Sequence, residues 1–311
     1  MNSARRTPLS SCSEARGDMD QATQLRNIIK AGNAVNAGPR ARVLTVTSGK
    51  GGVGKSNVSI NMAVKFADMG KRVVILDADF GLANIELMVG AIPKYNLADL
   101  IYKGMKIDEI ITKGPNGIDF ISGGSGIAGL TNLGRDYINY LIHNLTKLDS
   151  LYDIIIIDTG AGISDAVLEF LVASREIILV TTPEPTSITD SYSLLKALSR
   201  DARFSKETTE IKIVANKTEN IEEGRQLYTK LSTVVSRYLK LTMKLVGVIP
   251  NDQQLVKAVM QQSPVAISAP ASKASLAFDD LAKTLMSGAD EMIYTKHGMS
   301  GFFANMVRGK I

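Results

Sequence analysis

Tryptophan is absent from the 311 residues, and cysteine occurs once, at Cys12. A single cysteine excludes an intramolecular disulfide framework, and its polar surroundings mark it as a surface thiol rather than a nucleophile. No apolar run reaches about 18 residues, the length at which a membrane-spanning helix becomes a candidate. The first residues include Arg5, Arg6 and Arg16, but no apolar core follows them, so no secretory signal is expected. A broad basic surface is also missing. The formal charge is +5, and residues 1–42 hold +4 of it, with seven Lys or Arg against three Asp or Glu. The body is therefore near neutral, and direct DNA binding is not expected. With 45% hydrophobic and 22% charged residues, the composition is that of a soluble chain. The expected location is the cytoplasm. The length suits one large α/β domain with appendages, or two smaller domains.

What the chain does have is Thr45-Val-Thr-Ser-Gly-Lys-Gly-Gly-Val-Gly-Lys-Ser56, placed between a β-leaning run (41–47) and an apolar-periodic segment (58–69). This fits the phosphate-binding pattern G-x-x-x-x-G-K-[ST], with Gly49, Gly54, Lys55 and Ser56 at the fixed places. Glycines allow dihedrals closed to other residues and turn backbone N–H groups inward around an anion. The helix that follows adds the positive end of its dipole. Lys55 is placed to reach β- and γ-phosphates, and the Ser56 hydroxyl to sit on Mg²⁺.

Taken in order, residues 1–19 have no usable periodicity and are expected to be a disordered tail. In Asp20-Gln21-Ala22-Thr-Gln-Leu25-Arg26-Asn-Ile-Ile-Lys30, Asp20 can cap a short helix with Ala22, Leu25, Ile28 and Ile29 on one side. Such a helix either packs on its own domain or waits for a partner's groove, and residues 33–40 follow as a linker. From Ala41 the pattern is βα. Strands are expected at 41–47, 72–76, 118–121, 153–158, 176–181, 211–215 and 245–249. Helices are expected at 55–69, 96–102, 107–111, 137–148, from 165, and at 187–198, 221–238, 253–260 and 272–286. Asp153-Ile-Ile-Ile-Ile-Asp158 reads as a central strand covered on both faces. The spacing is that of βαβ units and gives an α/β domain with a mostly parallel sheet of seven or eight strands.

Ligands of parallel sheets gather beyond the carboxyl ends of the strands, where residues 49–56, Asp77, Asp79, Asp158, Asn216 and Pro250 all fall. Asp158 can hold Mg²⁺ directly or through water, opposite Ser56. Of Asp77 and Asp79, one could accept a proton from an attacking water while the other orders water around the metal. Lys50 occupies a position that the minimal pattern leaves open. It could neutralise charge within its own subunit, or reach across a dimer as an arginine finger does in trans.

Lys50-Gly-Gly-Val-Gly-Lys-Ser56 resembles the deviant phosphate loop of the MinD/ParA family of ATPases, whose signature is the first lysine. The likeness covers about residues 41–290 and extends to Asp77-Ala-Asp79-Phe-Gly-Leu-Ala-Asn84 and Asp158-Thr-Gly-Ala-Gly162, similar to the family's two switches. The resemblance implies a three-layer α/β/α P-loop NTPase fold and slow, dimerisation-activated, Mg²⁺-dependent hydrolysis of ATP to ADP. It implies catalytic roles for Lys50, Lys55 and Asp79, with Lys50 on the partner subunit's phosphates and Asp79 on the hydrolytic water. ATP would be held by Gly49, Lys50, Gly51, Gly52, Val53, Gly54, Lys55, Ser56 and Asn57, together with Asn216, Lys217 and Pro250, Asn216 reading adenine. The metal shell would include Ser56, Asp77 and Asp158. Serine at 56 stands in for the family's usual threonine with the same hydroxyl chemistry.

Within the family, the likeness is greatest to regulators of flagellar number and placement. It implies an ATP-dependent homodimer, at the inner face of the cytoplasmic membrane near a flagellated pole. Asp20, Gln21, Ala22, Leu25 and Arg26 would then touch a flagellar switch-complex protein, an FlhF-type GTPase or a flagellar transcription activator. Residues 291–311 end in a segment where Phe302, Phe303, Met306 and Val307 would form an apolar stripe, near Lys296, Arg308 and Lys310. By its residues this segment suits an anionic membrane surface as well as packing over its own domain; the resemblance favours the membrane. The alternative readings are a MinD-like cell-division positioning ATPase and a ParA-like DNA-partitioning one.

Overall fold

A computed structural model describes residues 40–79, 84–124, 135–287 and 298–307. The partner element at residues 20–30 lies outside the described residues, as do Phe80 to Ala83, Lys296, Arg308 and Lys310. The elements run β1 (Arg42–Ser48), α1 (Lys55–Asp68), β2 (Val73–Ala78), α2 (Asn84–Val89), α3 (Leu97–Lys103), α4 (Ile107–Ile110), β3 (Thr112–Lys113) and β4 (Asp119–Ile121). They continue with α5 (Arg135–Thr146), α6 (Leu148–Leu151), β5 (Ile154–Ala161), α7 (Asp165–Ala173), β6 (Glu176–Thr181), α8 (Pro185–Arg200), β7 (Glu210–Thr218) and α9 (Ile221–Leu239). The last are β8 (Met243–Pro250), α10 (Gln253–Met260), α11 (Val265–Ser268), α12 (Lys273–Ser287) and α13 (Gly298–Val307).

The eight strands form one sheet in the order β3-β4-β2-β5-β1-β6-β7-β8. Every pairing is parallel except β3 with β4, which is antiparallel at the edge. The isoleucine strand is central, between β2 and β1. Because side chains alternate across a strand, its isoleucines divide between two cores. Ile154 and Ile156 join Phe66, Ile75, Phe120 and Phe278 on one face. Ile155 and Ile157 join Leu76, Leu100, Leu141 and Phe170 on the other. All four are buried, and each such burial contributes on the order of 2 kcal/mol. Strand β6 divides in the same way, with Ile178 and Val180 on the first face and Ile177 and Leu179 facing α8 and α9. The fold is a three-layer α/β/α P-loop fold with a mixed eight-stranded sheet.

Three short elements, β3, α2 and α11, fall where no element is expected from periodicity. Their two, six and four residues are too few to establish a period. The final helix exists over residues 298–307, and Phe302, Phe303 and Met306 are buried against the domain; the side chain of Val307 lies outside the description. No helix among the described residues is long and apolar enough to cross a membrane.

Candidate functional site

The register of the sheet assembles the site. In the parallel ladder of β2 and β5, Asp77 lies opposite Asp158, and β1, on the other side of β5, delivers the glycine loop. Two glycines of that loop have steric reasons. Gly49 runs so close to α8 that a Cβ would sit 2.3 Å from the carbonyl carbon of Asp190. Gly54 has φ +92°, and a Cβ there would lie 2.4 Å from Asn216 Nδ2. The loop then enters α1 with Lys55 as the first helical residue.

Asp158 is fully buried and is the hub. Its Oδ2 accepts from Ser56 Oγ at 2.7 Å and lies 3.1 Å from Lys55 Nζ, while its Oδ1 accepts from Ser59 Oγ at 2.8 Å. Asp77 is equally buried and accepts from the backbone N–H groups of Asp79 and Ile85. Burial first, and the neighbouring Asp158 carboxylate second, push the Asp77 carboxyl up to about 7. Lys55 pairs with Asp158, and a carboxyl held up to about 7 beside that pair gains its charge most readily when a further cation binds. Among the described residues no cluster of three His, Cys, Asp or Glu could hold a metal by itself. Mg²⁺ commonly takes one or two carboxylates and completes its shell with water and phosphate, so Ser56, Asp158 and Asp77 suit that ion. Asp79 is half-buried, one residue past the end of β2.

The ends of β7 and β8 carry Asn216, Lys217 and Pro250, and β7 flanks the loop. Asn216 donates from Nδ2 to the Val53 carbonyl at 2.7 Å. Its Oδ1 is buried without a hydrogen-bond partner among the described residues. Lys217, at φ +57°, donates to the Gly52 carbonyl at 2.8 Å and lies over the loop. Pro250 ends β8 beside Thr218. Val53 is buried, Gly51 and Gly52 are exposed, and Asn57 is half-buried in the first turn of α1.

Lys50 is folded onto its own subunit, where its Nζ donates to Glu184 Oε2 at 2.8 Å and Thr186 Oγ1 at 2.9 Å. This ion pair holds the exposed Glu184 carboxyl below its ordinary range. Sequence reading missed Glu184 and Thr186, which lie 134 and 136 positions from Lys50. It also missed Ser59, although its place on the Ser56 side of α1, three residues on, offered a signal.

A family model, ParA, described as NUBPL iron-transfer P-loop NTPase, matches residues 40–286. The chain is 42% identical over 246 residues to the antiactivator FleN of Pseudomonas aeruginosa, covering 79% of this chain and 86% of FleN. It is 33% identical over 299 residues to the flagellum site-determining protein YlxH of Helicobacter pylori, covering 93% and 98%. The fold superposes on the septum site-determining protein MinD complexed with Mg-ADP from Pyrococcus horikoshii with a TM-score of 0.62. That superposition has 23% identity and covers 80% of this chain and 98% of that one.

Proposed function

The chain belongs to the MinD/ParA family of P-loop ATPases, and from that premise we propose that it is a Mg²⁺-dependent ATP-hydrolysing switch controlling flagellar number and placement. The observation that carries the chemistry is the constellation of buried Lys55 and Asp158 with half-buried Ser56 toward the carboxyl end of β5. The 42% and 33% identities to FleN and YlxH support the flagellar role.

In this reading the N–H groups of residues 49–56 cradle the triphosphate, and Lys55 turns from Asp158 to its β- and γ-oxygens. Ser56 and Asp158, with Asp77 beside them, would hold Mg²⁺, which would supply neutralisation of the charge on the phosphates. Asn216 and Lys217 close over the base, and Pro250 borders it. Asp79 positions the attacking water. Lys50 exchanges Glu184 for the phosphates of a second copy, so the complete site needs a dimer. Positioning and electrostatics then supply the catalysis, and turnover is slow because the output is a conformation. The dimer presents residues 20–26 to a flagellar switch-complex protein, an FlhF-type GTPase or a flagellar transcription activator. Hydrolysis separates it. The C-terminal segment supplies reversible contact with the inner face of the cytoplasmic membrane.

The test has two arms. Size-exclusion chromatography with light scattering on Asp79→Ala should give a dimer with Mg-ATP and a monomer with Mg-ADP. Removal of the gene from a flagellated host should change the number or position of flagella, and Lys55→Ala should fail to restore them. A monomer in both nucleotides, or unaltered flagella, would sink the proposal. Salt-sensitive DNA binding without a flagellar defect would favour a partitioning ATPase.

A further inference from the structure

Helix α13 is fastened to the domain at two kinds of contact. Its apolar side chains Met299, Phe302, Phe303 and Met306 lie in the core shared by β5, α5 and α7. The Phe302 ring is 6.0 Å from that of Phe170, and Asn305 Nδ2 donates to the Ala173 carbonyl at 3.3 Å. The second contact is polar. Asp149, in α6, is itself buried. Its Oδ1 accepts from the Met299 N–H at 2.7 Å, and its Oδ2 faces the Ser300 N–H and hydroxyl, each at 3.3 Å.

The first N–H groups of any helix need acceptors from outside it, and the usual source is the residue just before the helix. Here the acceptor is 150 positions away in sequence. Space for it is made by Gly298, whose φ is +56° and at which a Cβ would lie 2.4 Å from Asp149 Oδ2. Burial pushes the Asp149 carboxyl up, and the N–H groups of Met299 and Ser300 pull it back. The contact is therefore reciprocal: the first N–H groups of the helix gain an acceptor, and the buried carboxylate gains donors. A ten-residue helix with glycines at 298 and 301 is not stable by itself, so its order depends on being docked. Both supports also flank one strand. Asp149 precedes β5 and Phe170 and Ala173 follow it in α7, while β5 carries Asp158.

We propose that Asp149 is a latch, a long-range cap that holds the C-terminal helix in its groove and whose loss frees residues 298–307 while the domain stays folded. The regulatory meaning, a membrane segment withheld until released, rests on the function proposed above; the latch itself does not.

The test uses the full chain without nucleotide and compares Asp149→Ala, Asp149→Asn and Gly298→Ala with the unaltered protein. Gly298→Ala attacks the contact from the helix side and leaves the domain untouched. Amide hydrogen exchange of residues 299–307 should quicken about tenfold in Asp149→Ala and Gly298→Ala, the scale of one lost cap. Asp149→Asn keeps an acceptor oxygen and should restore most of the protection. Exchange in β1 and β5 should not change. Unaltered exchange of the helix in both alanine variants, or faster exchange spread through the sheet, overturns the latch. Flotation with vesicles containing phosphatidylglycerol separates the two ideas. A freed helix that ignores vesicles leaves the latch standing and defeats the membrane role.

Discussion

Buried charge gathers at both ends of the central sheet, and the two ends treat it differently. At the amino ends of β1, β6 and β7, Arg42 grips Glu176 through Nε and Nη2 at 2.8 and 2.6 Å and donates from Nη1 to the Leu285 carbonyl at 2.7 Å. Lys212 adds a second cation to Glu176, and also lies 3.0 Å from Glu210. Burial alone would push the Glu176 carboxyl up, but Arg42 and Lys212 outweigh it, and the group ends below its ordinary range. At the carboxyl ends of β2 and β5 the ratio is reversed, with Asp77 and Asp158 sharing Lys55. There burial prevails, and Asp77 is raised. Two cations per buried carboxylate make a closed brace for the sheet. Two buried carboxylates per cation leave a position for a ligand.

Four substitutions can break this contrast, from the largest effect to the smallest. Arg42→Ala should strip the brace and cost about 3–5 kcal/mol of stability, because it leaves Glu176 and Lys212 in a broken buried network. Denaturant titration would report that loss, while turnover per folded molecule should be unaltered. Lys55→Ala should do the opposite, lowering kcat/KM for ATP about 100- to 1,000-fold in a steady-state assay, with the fold retained. Asp77→Asn addresses pH. Between its ordinary 3.8 and about 7, the folded chain holds a proton that the unfolded chain has released, so stability falls as pH rises through that window. The asparagine should remove this slope and stabilise the nucleotide-free chain at pH ~8 by at most about 4 kcal/mol. Melting temperatures across the pH range would show it, and an unaltered slope would deny Asp77 its raised position. Glu184→Gln should have the smallest effect. Its pair with Lys50 is on the surface, and freeing the lysine should strengthen Mg-ATP-dependent dimerisation about two- to fivefold by analytical ultracentrifugation.

Much of this was legible in the chain because it is local. The phosphate loop, the isoleucine run and the aspartates at strand ends are read from adjacent residues, and the eight strands stand in the expected layers. What escaped is made by distant partners. Glu184 meets Lys50 across 134 positions, and Arg42 meets Glu176 across 134. No periodicity carries such information. The apolar stripe of Phe302, Phe303 and Met306 was readable, but its place against Phe170 was not, since an apolar helix suits a lipid surface and a protein groove equally. Neither could Asp149 be recognised as a cap, lying within the short helix α6.

The central claim is that the site is completed by Lys50 of a second copy, and subunit mixing tests it directly. Lys50→Ala and Asp79→Ala should each be inactive alone. Mixed one to one with Mg-ATP, they form hybrids in which one site has its own Asp79 and receives Lys50 from the other chain. ATPase activity should then return to about a quarter of the unaltered level, since half of the dimers are hybrids with one complete site each. If Lys50 serves its own nucleotide, neither site of a hybrid is complete. A mixture as inactive as its components would contradict the claim.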